Sequence, residues 1–86
     1  MNYFVVVDVT LRAGIADPEG ATIERALPAL GFTGVSEVKA GKTFRMNVEA
    51  QSETAALERA TALAERLLSN PVIEDATVRL GQVRVS

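Results

Sequence analysis

A Gly-Lys-Thr tripeptide at residues 41–43 is the stretch whose residue types most suggest phosphate chemistry, because a nucleotide-binding P-loop ends in this way. A complete P-loop also needs a glycine five positions earlier, where this chain has Ser36. It further needs a helix directly after the threonine, so that backbone amides face the phosphates. Residues 43–50 instead alternate between apolar and polar types, which is the pattern of a strand. The sequence therefore predicts no P-loop and leaves Lys42 as a cation on a turn.

Other residue types with reactive side chains are scarce. The chain has no histidine and no cysteine, which excludes a Ser-His-Asp triad, a disulfide and any imidazole or thiolate metal site. Glu74 and Asp75 are adjacent carboxylates, but neighbours on a strand point to opposite faces. Asp8 interrupts an apolar strand and is open to pairing with an arginine. These residues predict no catalytic constellation.

Composition narrows the class of protein further. The 86 residues are 48% hydrophobic and 23% charged, with a net charge of -2, which is typical of one folded domain spanning residues 1–86. Dispersed arginines and an acidic balance disfavour a nucleic-acid partner. No apolar run approaches the length of a membrane span, and the first residues lack the features of a signal peptide. We therefore expect a cytoplasmic protein with no membrane anchor.

The first half of the chain predicts a strand and then a helix. Residues 2–11 are rich in valine and aromatic types, as strands are. Asp17 followed by Pro18 is typical of a helix start, and Gly31 of a helix end. Pro28 cannot donate the helical hydrogen bond at its position, so it predicts a kink or a non-α last turn.

The second half predicts two strands, a long helix and a final strand. Residues 35–40 form a weaker strand, and Gly41-Lys42 makes a hairpin turn with positive φ into the strand at 43–50. Ser52 caps the long helix, which Asn70-Pro71 terminates. The apolar alternation of the tail changes phase at Gly81, which predicts a bulge or a break.

The resulting order, βαββαβ, predicts an α+β, ferredoxin-like fold, with an antiparallel sheet and both helices on one face. Phe4 and Val6 then lie on the second face, and Val83 and Val85 extend beyond a complete fold. Burying apolar side chains of this kind is worth roughly 1.5–3 kcal/mol each. We therefore expect these four residues to be buried in a dimer that extends or pairs the sheet.

Three local patterns occur together in this order: "VTLRAGIADPEGATIERALPALGF", "VSEVKAGKTFRMNVEA" and "AERLLSNPVIEDATV". Together they resemble the PurS family, the small subunit of phosphoribosylformylglycinamidine (FGAM) synthase, over almost the whole chain. The most specific pieces are Asp17-Pro18-x-Gly20, Gly41-Lys42-x-Phe44 and Asn70-Pro71-Val72-Ile73-Glu74.

The resemblance implies a non-catalytic accessory subunit of a glutamine-dependent C–N ligase in de novo purine biosynthesis. Such a chain forms a homo-oligomer, a dimer or a tetramer, and joins the synthetase subunit (PurL) to the glutaminase subunit (PurQ). It thereby supports ammonia transfer while the complex converts formylglycinamide ribonucleotide, glutamine and ATP to FGAM. The chain itself binds no cofactor, and ATP and Mg are used by the large subunit.

The resemblance supplies no catalytic positions. The candidate partner-binding residues are those of the three matching motifs: Gly41 and Lys42, Asn70 and Pro71, and Asp17, Pro18 and Gly20. Turn geometry alone also explains glycines and prolines at such positions. Lys42 is equally consistent with a solvated turn and with a partner contact.

An ACT-like small-molecule-binding regulatory module is the alternative. That fold has the same order of elements, and a D-x-P-G motif often opens its first helix. In this chain the proline comes one place early, in Asp17-Pro18-Glu19-Gly20, and the domain is freestanding. Tight amino-acid binding to the isolated protein would favour the alternative.

Overall fold

A three-stranded antiparallel sheet is built around the valine-rich first strand. The computed structural model describes residues 1–81 of the chain. Strand β1 (Asn2–Leu11) lies between β2 (Gly41–Glu49) and β3 (Glu74–Leu80), in the order β2-β1-β3. β-Branched side chains pack well on a pleated surface, which explains why the valine run occupies the central position.

One face of this sheet carries the core. Val5, Val7 and Val9 are at most 1% exposed and lie under helix α2 (Glu53–Leu63), which continues as a single π turn over Ala64–Leu68. The buried helix positions are alanines, whose small side chains let the helix lie close to the sheet. The flanking strands complete the core with Phe44, Met46, Val48, Ala76, Val78 and Leu80.

The predicted limits of the long helix are confirmed. The Ser52 hydroxyl accepts a hydrogen bond from the Ala55 amide at 3.1 Å, which satisfies one of the free amides of the first turn. At the other end, Ser69 is extended and its hydroxyl donates to the Ala64 carbonyl at 2.9 Å. The helical structure therefore ends before Asn70-Pro71, as predicted.

Helix α1 (Pro18–Ala26) begins at the predicted cap, and a 3₁₀ turn (Pro28–Leu30) follows it. The non-α turn at Pro28 and the left-handed Gly31 (φ 87°) confirm the two predictions for this end. However, the apolar residues of α1 and of the 3₁₀ turn do not lie on the sheet, since Ile23 of α1 is 44% exposed and Leu30 of the turn is 69% exposed. Only α2 contacts all three strands, so the prediction that both helices cover one face is wrong for α1.

The predicted strand at residues 35–40 is also absent from the described chain, and so is the hairpin turn at Gly41-Lys42. Gly41 has no positive φ and pairs with Thr10 inside the sheet. Residues 35–40 are instead bonded to α1 and its capping residue. The Val38 backbone amide donates to the Glu24 carboxylate, and the Ala40 backbone amide donates to the Asp17 carboxylate, both at 2.9 Å. We call residues 12–40, which comprise α1, the 3₁₀ turn and this return segment, the arm.

The α+β class and the ferredoxin-like order of the central elements are confirmed, with the first helix and the predicted edge strand displaced into the arm. The chain is consequently elongated, with dimensions of 51 × 36 × 15 Å and a radius of gyration of 16.3 Å. A compact domain of this length has a radius of gyration of about 12 Å. Within residues 1–81, no helix combines the length and apolar character that crossing a bilayer requires.

On the second face of the sheet, the expectation that both Phe4 and Val6 need a partner chain to be buried is wrong for Val6. Val6 is only 4% exposed in the single chain, and Phe4 is half-buried. In the register of the sheet, Val6 lies between Arg45 and Arg79, whose long side chains can cover it. Burial in a dimer is therefore not required for Val6. Val83 and Val85, the other two residues of that expectation, lie outside the described residues.

Candidate partner-binding site at the motif end of the sheet

Two of the three sequence motifs meet at one end of the sheet. Because the strands are antiparallel, β1 ends where β2 and β3 begin, and the register pairs Thr10 with Gly41 and Leu11 with Glu74. Helix α1 also begins at this end, at Pro18. We call this region the motif end.

A cavity of about 220 Å³ lies at the motif end. Its lining residues are Val9, Leu11, Asp17, Pro18, Glu19, Ala40, Gly41, Lys42 and Glu74. The structure therefore brings together Asp17, Pro18, Gly41 and Lys42, four of the seven predicted site residues. A neighbouring cavity of about 340 Å³ shares Asp17 and Ala40 and adds Arg12 and Lys39.

Asp17 has a structural role at this site. One carboxylate oxygen accepts from the Gly20 amide at 3.0 Å and the other from the Ala40 amide at 2.9 Å. These two hydrogen bonds, the Gly20 bond foremost, hold the pKa of the Asp17 carboxyl below its ordinary value. The same side chain thus caps α1 and attaches the return segment to it.

Gly20 and Gly41 are explained by close backbone approach. A Cβ atom on Gly20 would fall on the carbonyl oxygen of Val38 and 2.6 Å from an Asp17 carboxylate oxygen. A Cβ atom on Gly41 would lie 2.7 Å from the carbonyl oxygen of Val9. No larger residue fits either position without a shift of the backbone.

Asn70 and Pro71 belong to an adjacent turn and do not line the same cavity. The Asn70 side-chain oxygen accepts from the Val72 amide at 3.1 Å, which is the local hydrogen bond of an Asx turn. The Asn70 backbone amide donates to the Glu74 carboxylate at 2.7 Å, and Glu74 itself lines the motif-end cavity. Pro71 lines a separate cavity of about 280 Å³ on the α2 side. The third motif is therefore connected to the other two only through Glu74.

Lys42 is the predicted site residue that the fold leaves available for a partner. It is exposed, and the ion pairs found within residues 1–81 are Arg12 with Asp75 and Arg79 with Asp8. Lys42 takes part in neither pair, and its position within β2 confirms that no P-loop helix follows it. An ammonium group at the mouth of a cavity can contact a carboxylate or a phosphate of another molecule.

Two site residues were missed by reasoning from the sequence. Arg12 joins β1 to the start of β3, pairing with Asp75 at 3.4 Å and donating to the Glu74 carbonyl. Glu24 binds the return segment from the middle of α1. Neither residue stands out in the sequence, because the groups that Arg12 and Glu24 contact are distant from them along the chain.

Among residues 1–81, no group of three or more carboxylates is placed to hold a metal ion. Asp8, whose interruption of β1 suggested pairing with an arginine, accepts from the Thr43 hydroxyl at 2.8 Å and pairs with Arg79 at 3.5 Å. The Asp8 carboxylate is therefore used within the sheet.

Comparisons of this chain with known proteins, one by sequence and one by structure, give the same result. A family model described as PurS, Phosphoribosylformylglycinamidine (FGAM) synthase, matches residues 4–82. The PurS subunit of Mycobacterium leprae is 45% identical over 73 residues, which are 85% of this chain and 89% of the relative.

Two solved structures from Thermotoga maritima are similar over nearly the whole chain. The crystal structure of the PurS subunit has a TM-score of 0.86 at 35% identity and covers 93% of this chain and 92% of its own. A chain in the structure of PurLQS has the same TM-score and identity, with coverage of 93% and 98%. These relatives give no support to the ACT-like alternative. On its sequence and its fold together, this chain belongs to the PurS family of FGAM synthase subunits.

Proposed function

We propose that this chain is the accessory subunit that joins the synthetase and glutaminase subunits of an FGAM synthase, acts as a homo-oligomer, and supports ammonia transfer between them. The observation that carries the proposal is the similarity to the chain in the T. maritima PurLQS structure, over 93% of this chain and 98% of that one. Similarity over full length means that the arm and the sheet both have counterparts there.

The chemistry is assigned to the larger subunits in this proposal. The chain has no histidine or cysteine, and no carboxylate group within residues 1–81 is placed to hold a metal ion, whereas amide transfer needs an activated nucleophile to release ammonia and a phosphate-binding site to activate the substrate. ATP and Mg are accordingly used by the synthetase subunit, and glutamine is hydrolysed by the glutaminase subunit. The assembled enzyme works in the cytoplasm, and this chain contributes contacts.

The motif end is the surface proposed to contact a larger subunit. It combines the exposed Lys42 with a cavity whose other charged lining residues are the carboxylates Asp17, Glu19 and Glu74. The Asp17 and Glu74 carboxylates already accept hydrogen bonds from backbone amides, and Lys42 is the cation that lines this cavity. Lys42 is therefore the group proposed to make the new contact. Its partner is an anionic group, either a carboxylate or a phosphate.

Reconstitution of the three-subunit enzyme tests the overall role. With glutamine as the nitrogen source, we expect FGAM formation to depend on this chain. With ammonium salt as the source, the synthetase should work with or without it, because no transfer between subunits is needed. Equal glutamine-dependent rates in the presence and absence of this chain would contradict the proposal.

Substitution of Lys42 tests the contact surface. We expect Lys42→Ala to raise the concentration of this chain that half-saturates glutamine-dependent activity by about fivefold, corresponding to roughly 1 kcal/mol of lost contact. Lys39→Ala is the matched control, since Lys39 is the other lysine of the chain, is exposed, and lines only the neighbouring cavity. Equal effects of the two substitutions would remove the specific role of Lys42.

A further inference from the structure

The turn that leads into strand β3, formed by the third motif at residues 70–74, is closed by its own hydrogen bonds. The Asn70 carbonyl accepts from the Ile73 and Glu74 amides at 3.1 and 2.8 Å. The Asn70 side-chain oxygen accepts from the Val72 amide at 3.1 Å, and the Asn70 amide donates to the Glu74 carboxylate at 2.7 Å. Pro71 has no amide to donate. The turn is therefore rigid, and every backbone N–H of the motif already has an acceptor within it.

Val72 is the residue of this turn whose side chain the turn itself does not use. Its side chain is 80% exposed, and its φ is not positive, so the backbone there accepts any residue that has an N–H. A single exposed valine is common on a protein surface. This one differs because a closed turn fixes its position. Residues 67–73 also contain no charged side chain, as is typical of the centre of a protein–protein interface.

The turn is fixed to the motif end of the sheet. The Arg12 amide, at the end of β1, donates to the Ile73 carbonyl at 2.8 Å, and the Arg12 side chain donates to the Glu74 carbonyl at 3.4 Å. The Glu74 carboxylate, which accepts from Asn70, belongs to a residue that lines the same cavity as Lys42. The turn and the motif end are therefore continuous, and a molecule bound at Lys42 lies next to the turn.

We infer that Val72 inserts into an apolar pocket on the same larger subunit that Lys42 contacts. The inference rests on the proposed function and adds a second anchor to its contact surface. Because the backbone amides of the turn are already bonded, what the turn offers a partner is chiefly the apolar surface of Val72. A side chain held on a rigid turn loses little conformational freedom on binding, so its burial contributes directly to affinity. Lys42 supplies the charge complementarity that orients the two subunits.

Substitutions at Val72 test this contact in the reconstituted three-subunit enzyme. The quantity measured is the concentration of this chain that half-saturates glutamine-dependent activity. We expect Val72→Asp to raise it by about tenfold or more, and Val72→Thr, which keeps the shape and adds a hydroxyl, by about fivefold. Val72→Ile keeps the apolar character and should stay within about twofold of the natural chain.

Thr54→Asp is the matched control for an added charge. Thr54 is β-branched and exposed like Val72, and it lies in the first turn of α2, where a carboxylate is tolerated. We expect it to behave as the natural chain. Unchanged exchange of the Ile73 amide in Val72→Asp will show that the turn is intact. Equal effects of Val72→Asp and Thr54→Asp would overturn the inference, as would dissociation of the homo-oligomer by Val72→Asp in sedimentation equilibrium.

Photocrosslinking tests whether Val72 and Lys42 face one subunit. Because the natural chain contains no cysteine, Val72→Cys, Lys42→Cys and Thr54→Cys each carry a single site for a benzophenone maleimide. Irradiation of the three-subunit complex should join the first two variants to the same larger subunit, with at least about fivefold less product from Thr54→Cys. Attachment of Val72→Cys and Lys42→Cys to different subunits, or of Val72→Cys only to another copy of this chain, would refute the inference.

Failure of this inference is distinguishable from failure of the proposed function. If glutamine-dependent FGAM formation does not need the natural chain, the proposed function fails, and the inference fails with it. If that activity needs the natural chain but Val72→Asp supports it at the same half-saturating concentration, only the contact made by Val72 is refuted.

Discussion

At the scale of single residues, the glycines of the matching motifs are explained by space and not by flexibility. Gly20 and Gly41 each lie where a side chain would meet a carbonyl oxygen of another segment, Val38 in one case and Val9 in the other. Neither has positive φ. These two glycines therefore mark two places at the motif end where one backbone segment passes close to another.

The substitution Gly20→Ala tests this explanation through the sign of its effect. In an exposed helix this change normally stabilises by about 0.5–1 kcal/mol, since alanine loses less entropy. In α1 the added methyl group displaces the return segment, so we expect instead a loss of about 1 kcal/mol or more of arm stability. Hydrogen exchange measures it: the amides of Val38 and Ala40 should exchange several-fold faster, with Ala21→Ser, an exposed neighbour, as the control. Slower exchange in Gly20→Ala would contradict the crowding.

At the scale of elements, the arm is held together by carboxylates that replace a strand ladder. Asp17 and Glu24 accept hydrogen bonds from the amides of Ala40 and Val38, which would otherwise be available to the edge of a sheet. Charged acceptors make such bonds stronger than neutral ones. The return segment therefore stays with α1, and within residues 1–81 no strand pairs with the outer edge of β2.

Acid should loosen the arm by protonating Asp17. Hydrogen bonding lowers the pKa of folded Asp17 below its ordinary value of 3.8, so its stabilisation is complete above that value and is lost as pH falls through the lowered pKa. We expect the amide proton shifts of Gly20 and Ala40 to titrate together, with a midpoint below 3.8. Asp17→Asn should abolish this titration. A midpoint at or above the ordinary value would show that the two bonds do not favour the carboxylate.

At the scale of the whole molecule, the chain has less covered apolar surface than its sequence could bury. Among residues 1–81, seven residues form the buried hydrophobic core, all of them valine or alanine, while nine large apolar residues are exposed. Because hydrophobic stabilisation follows the apolar area removed from water, a single copy obtains only part of the stabilisation available to it.

Stability should consequently depend on protein concentration. For the homodimer of the proposed function, a hundredfold increase in concentration adds roughly 3 kcal/mol to the free energy of unfolding. We expect the urea midpoint of the natural chain to rise accordingly between micromolar and hundred-micromolar samples. A midpoint that is independent of concentration in the natural chain would point to a stable monomer.

The sequence predicted the features of this site that depend on neighbouring residues. Asp17 as a cap, Pro18 at the first helical position and the 3₁₀ turn at Pro28 all follow from contacts within four residues. The sequence did not predict that the Asp17 and Gly41 motifs line one cavity. Their proximity depends on the pairing of β1 with β2, which places the end of one strand beside the start of the other. The sequence also did not predict that Asp17 accepts a hydrogen bond from the Ala40 amide, because the two residues are distant along the chain.

The sequence by itself determined that residues 2–11 and 43–50 form strands, where the helices begin and end, and that the chain lacks histidine and cysteine chemistry. These properties follow from backbone preferences and side-chain types, which act over a few residues. Only the tertiary structure decided that residues 35–40 stay out of the sheet, that α1 leaves the core face, and that Val6 is buried within one chain. For residues 35–40, two long-range partners compete for the same group: the Val38 amide could bond β2 or Glu24, and that choice depends on geometry across the whole fold.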